Sequence, residues 1–121
     1  MASALSDVHS AWAWVVVTSN ALAGLWAIGA NWAPGLRTRA LWWLVAAAEL
    51  AVFVQVGLGA GLVAGEDAEA PELHMFYGFV AAMAVAILYS YRGQMQHRLH
   101  LLYGVGSLFV TGLAVRAMVL V

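Results

Sequence analysis

Residues 73–91 read L-H-M-F-Y-G-F-V-A-A-M-A-V-A-I-L-Y-S-Y, and this run decides the fold. It carries no charged side chain, and at a rise of about 1.5 Å per residue a helix of this length crosses a hydrocarbon core of about 30 Å. Its polar groups gather at the two ends, His74 and Tyr77 at the start and Tyr89, Ser90 and Tyr91 before Arg92. The opening is used twice. E-L-H-M-F-Y-G at 72–78 and R-L-H-L-L-Y-G at 98–104 both place Leu, His, two apolar residues, Tyr and Gly where a long apolar run begins. On a helix, His and the Gly four residues later share a face, so the Gly clears room beside the imidazole for a flat ring or a second helix.

Three further runs flank this one. The fourth span is expected at about 99–121, with Arg116 in its last turns, and the second at about 41–63, opening on Trp42-Trp43 and interrupted by Glu49 and Gln55. The second span ends in G-L-G-A-G, where Gly57 and Gly61 form a small-xxx-small pair suited to close helix contact. The first span is expected at about 11–32, interrupted only by Thr18, Ser19, Asn20 and Asn31, with Trp12, Trp14, Trp26 and Trp32 toward its ends as an aromatic belt would place them. Pro34-Gly35 breaks it, and residues 65–72, with Glu66, Asp67, Glu69 and Glu72 around Pro71, form the clearly hydrophilic loop. Residues 1–10 lack the basic start and compact apolar core of a signal peptide, so the first apolar run is expected to be retained. A chain in lipid must satisfy its backbone hydrogen bonds internally, and the period-2 alternation of barrel strands is absent. The expected fold is therefore all-α: an integral membrane four-helix bundle, one polytopic domain over residues 1–121, with short loops.

Composition narrows the function. Of 121 residues, 64% are hydrophobic and 9% charged, against about 25% charged in an ordinary soluble domain. The basic residues are five Arg and the net charge is -1, which offers no basic surface for nucleic acid. Without Cys, thiolate metal sites, disulfides and cysteine nucleophiles are excluded. No Ser stands in a Gly-x-Ser-x-Gly setting and no Gly-rich phosphate loop is present, so the chain reads as non-enzymatic.

Arg37 and Arg39 lie in the first loop, Arg92 and Arg98 in the third. Positive residues in short loops stay cytoplasmic, which predicts a multi-pass protein of the cell membrane with both termini and the acidic loop outside. His9 and His74 then open the first and third helices at similar depth, and Arg116 falls in the same layer. Two neutral imidazoles from different helices, with a cation for the propionates, are what a b-type haem requires. His9, His74 and Arg116 are therefore the candidate haem-binding residues. On the cytoplasmic side His97 and His100 lie three apart, but two ligands do not make a metal site, and neither the first nor the second helix supplies a His opposite His100. Glu49 is the costliest residue, at about 2.5 to 3.5 kcal/mol for a charge at a span's centre. It is expected to turn inward and bond Ser107, Tyr103 or His100 on the fourth helix, or a helix of another protein, while Asn20 and Gln55 are expected to bond across helices.

Three functions fit these residues. One is a non-catalytic accessory or structural subunit of a larger membrane complex, docking through its lateral faces on other subunits or on itself within the bilayer. The second is a haem b bundle for electron transfer or haem handling. The third is a small oligomeric proton-coupled transporter or channel built on Glu49; small four-helix multidrug transporters carry such a Glu, but in their first helix and with dual topology.

The Arg placement predicts the orientation directly. Because the chain has no Cys, single cysteines at Ala68 and Thr38 report it cleanly. A membrane-impermeant maleimide added to intact cells should label the Ala68→Cys variant and leave the Thr38→Cys variant unmodified; labelling at position 38 alone would reverse the orientation.

Overall fold

The computed structural model describes residues 3–121. It contains four α-helices: α1 (Ala4–Trp32), α2 (Arg39–Gly65), α3 (Glu72–Tyr91) and α4 (Leu99–Val119), with 3-10 turns at Pro34–Leu36 and Gln96–Arg98. All four are long and apolar enough to cross a membrane, the character of a multi-pass membrane protein. Among the described residues there is no strand. Large apolar side chains face outward around the bundle, among them Trp14, Leu25, Trp43, Leu50, Phe79 and Phe109, as a lipid-facing surface requires.

Three of the four helices keep to their apolar runs within a few residues, whereas α1 starts seven residues before the expected position 11. Ser3 caps it: its hydroxyl accepts the Ser6 N–H at 3.1 Å. Asp7 in the first turn faces the positive end of the helix dipole. His9 therefore does not begin the helix but sits inside it, more than a turn from the cap. α1 ends where Pro34 cannot continue it, and Arg37 folds back to donate to the carbonyls of Ala30 (2.7 Å) and Asn31 (2.8 Å). The last turn of α2 is closed by the N–H groups of Glu66 and Ala68, both donating to Leu62 O. Asp67 between them takes a left-handed backbone, φ 52°, which Asp tolerates better than most residues.

The packing is uneven. α1 makes its most extensive contacts with α4 and then with α2, and α3 rests on α4, whereas α2 and α3 barely meet. The α1–α4 seam is built from small residues. A methyl group at Gly104 would run into the α1 backbone, 2.9 Å from Ile28 N, and one at Gly24 would lie 2.8 Å from Leu108 Cγ. A methyl group at Gly106 would strike the Leu88 side chain of α3. Two apolar cores stack along this seam. One, toward the acidic loop, includes Val16, Ala51, Val52, Val85 and Val110; the other, toward the arginine loops, includes Ala23, Ala27, Leu41, Val45 and Tyr103. The Gly57/Gly61 pair does not form the close helix contact expected of it: nothing lies within 4 Å of a methyl at Gly57, and Gly61 meets only Leu5 at 3.6 Å.

The seam makes a paired prediction. Gly104→Ala forces a methyl against backbone and should cost about 1–3 kcal/mol. Gly78→Ala meets open space and should be neutral or stabilising by up to about 1 kcal/mol through helix propensity. Unfolding of the two variants in mixed micelles measures the difference; equal stabilities would contradict the seam.

Candidate functional site

At the end of the bundle that carries the acidic loop, residues of all four helices line an open cavity of about 1010 Å³. This lies at the upper end of the roughly 300–1,000 Å³ typical of small-molecule and cofactor sites. His9 from α1 and His74 from α3 both line it. Their ring centres are 6.1 Å apart with planes at 83°, so the two imidazoles expected to share a layer do meet.

Each ring is held by what lies behind it. His74 Nδ1 lies 2.7 Å from the carbonyl oxygen of Ala117. A carbonyl can only accept, so Nδ1 carries the proton and donates, and Nε2 is left with a lone pair. The Ala117 carbonyl, in the last turn of α4, also accepts from Leu120 N–H at 3.3 Å, so the imidazole uses its second lone pair. His9 is packed over Gly59, where a methyl would stand 3.2 Å from its Cε1. A larger residue at 59 would push the ring away. The backbone carbonyl of His9 accepts from Gln55 Nε2 at 2.8 Å, which ties this turn of α1 to α2. His9 Nδ1 and Gln55 Oε1 are both buried without a hydrogen-bond partner. Gly78, one turn beyond His74, lines the same cavity and has nothing within 4 Å of a built methyl.

The second copy of the motif is used differently. His100 stacks on Trp42, ring centres 5.1 Å apart, and Trp42 in turn meets Tyr103. Gly104 is filled by Ile28 rather than left open. His97 is exposed on the 3-10 turn before α4. One motif thus opens a cavity and the other closes a helix seam.

Arg116 is not brought to the imidazoles. It lies exposed with its guanidinium 5.8 Å from the Tyr77 ring centre and does not line the cavity. The depth expected of it is right, but its direction around α4 carries it past α3 to the outside. The mouth instead holds Ser3, Ser6 and Ser10, the first turns of α1 and α3, and two carboxylates, Glu66 and Glu69. Among the described residues no Arg or Lys lines the cavity, and the first turns of α1 and α3 carry Asp7 and Glu72.

The interior polar residues divide. Asn20, 1% exposed, donates across the bundle to Ala48 O at 3.2 Å as well as to Val16 O at 2.9 Å, and Gln55 bonds His9; both are the interhelical bonds expected of them. Trp12 donates to Ala51 O at 2.9 Å. Glu49 makes none of the bonds expected to Ser107, Tyr103 or His100, and its Oε1 is buried without a partner. Gly59 and Ala117 are functional neighbours that sequence reading passed over. A glycine every second residue through 57–61 was the available signal for the first, while a backbone carbonyl leaves no signal at all. Among the described residues no group of three or more His, Cys, Asp or Glu is placed to hold a metal ion. No protein-family model, curated protein or solved structure matches the chain.

Proposed function

We propose that this protein is a haem b-binding membrane bundle, in which His9 and His74 would hold the iron, working in electron transfer or haem handling. The observation that carries the reading is the pair of imidazoles from separate helices, 6.1 Å apart, on one cavity. With metal–imidazole bonds of about 2 Å, two imidazoles on opposite sides of one metal ion have ring centres roughly 6 Å apart. The His74 Nδ1–H bond to a backbone carbonyl supports it further, because metal-ligating His residues almost always donate their other N–H in this way. Gly78 leaves open space beside His74 of the kind a flat macrocycle needs, and Gly59 seats the His9 ring against α2.

Bound there, haem would supply one-electron chemistry, and the chain would supply the two nitrogens and a low-dielectric wall. Its own tasks are to hold His74 in the Nδ1-protonated tautomer, to keep α1 and α3 apart at this level, and to exclude water. With no carrier domain in its short loops, such a protein exchanges electrons or haem only with a partner in or at the membrane. The reading as a subunit of a larger complex is thereby retained within this one. We place the haem layer at the outer face of the cell membrane on the strength of the Arg distribution.

Haemin added to the purified protein should give a low-spin b-type spectrum on reduction. His9→Ala and His74→Ala should each abolish it. His97→Ala and His100→Ala should leave it intact, and so should Arg116→Leu, since that side chain lies off the cavity. Gly78→Phe keeps both imidazoles but fills the space beside His74, and should lose haem while keeping the helical circular dichroism. Protein that stays colourless with ample haem, or that retains the spectrum without His74, overturns the reading.

A further inference from the structure

A second opening lies on the same side of the bundle, toward the arginine loops. Between α2 and α3 a groove of about 470 Å³ is lined by Glu49 with Leu50, Phe53, Val85 and Tyr89. Glu49 stands ten residues into α2, roughly 15 Å along its axis, so the groove is at the depth of the hydrocarbon core. Leu50 is 65% exposed and Phe53 46%, which leaves the groove open sideways to lipid rather than to water.

A carboxyl oxygen at this depth has no water to bond, and an unpaired buried acceptor is costly. The protein does not relieve it. Oε1 has no partner, and Arg92 on α3 is engaged elsewhere, with its guanidinium 3.5 Å from the Tyr89 ring centre and Nη1 donating to Tyr89 O at 2.7 Å. Apolar walls, aromatic rings and a single convergent polar group are the usual features of a small-molecule site. The missing element is a donor that arrives through the bilayer. We propose that this groove binds a membrane-soluble hydroxyaromatic of the quinol class, its ring against Phe53 and Tyr89, its hydroxyl donating to Glu49, and its chain leaving between α2 and α3. A neutral ligand fits better than a lipophilic amine, because Glu49 is the one charged side chain that lines the groove and a cation would need its hydration replaced by a single carboxylate.

The proposal does not rest on the haem reading, so its test is run on colourless and haem-loaded protein alike. Titration calorimetry of a decyl-chain benzoquinol, kept reduced, into the protein in micelles should show one saturable site. Glu49→Gln keeps an acceptor oxygen and should weaken binding by no more than about fivefold, while Glu49→Leu should weaken it roughly ten- to a hundredfold. The dimethyl ether of the same quinol lacks the donor and should bind wild type no better than the quinol binds Glu49→Leu. Phe53→Trp, which fills the groove and leaves the carboxyl in place, should abolish binding if Glu49→Leu proves unstable. Three results would overturn the proposal: no saturable site in the wild-type protein; binding of tetraphenylphosphonium that disappears in Glu49→Gln, which marks a cation site; or efficient disulfide dimerisation of the Phe53→Cys variant, which marks a groove filled by a second copy.

Discussion

Everything else in the structure depends on how closely α1 and α4 approach. In lipid there is no hydrophobic force to press helices together, so association rests on dispersion contacts, and small residues set how near two backbones can come. Gly24 and Gly104 bring α1 and α4 together until a single methyl would collide with the opposite helix. α2 hangs on one side of it through Ala48 and Asn20, α3 on the other through Leu88 and Gly106, and the four-helix ring is left incomplete between α2 and α3.

That incomplete side holds the unusual chemistry. Both openings with polar linings lie there, one at the level of His9 and His74 and one at the level of Glu49. Three of the buried polar atoms without a partner border these openings, His9 Nδ1 and Gln55 Oε1 near the first and Glu49 Oε1 in the second, while the fourth, His100 Nε2, lies beside Trp42 on the packed side. Where α1 meets α2, Asn20 donates to two carbonyls and Trp12 to another. A histidine pair and a carboxyl on the loosest face of an apolar chain are features that packing alone does not explain.

The four spans and their all-helical character were legible because hydropathy and length suffice in a membrane, where only helices and closed barrels are possible. Depth was legible for the same reason, since counting residues along a span gives height, and the shared layer of His9 and His74 followed from it. Direction around a helix was not. Arg116 stands at the right height and the wrong angle, and a span that is apolar on all sides carries no stripe to reveal which face turns inward. The repeated Leu-His-x-x-Tyr-Gly motif makes the point within one chain. Gly78 and Gly104 have the same local sequence context, yet the first borders open space and the second meets Ile28. The difference lies in the neighbouring helix, not in the motif. The early start of α1 escaped notice because Ser3 lies outside the apolar run that defines the span, and that extension is what carries His9 inside the helix.

The account stands or falls on two imidazoles from α1 and α3 serving one iron. X-ray absorption at the iron edge of haem-loaded protein measures this most directly, because it counts the axial nitrogens and is indifferent to what the protein does. The proposed haem site predicts two imidazole nitrogens bound to the iron at about 2.0 Å, one of them lost when His9 alone is removed. Iron with a single axial imidazole, or the same coordination in the His9→Ala variant, would contradict the account.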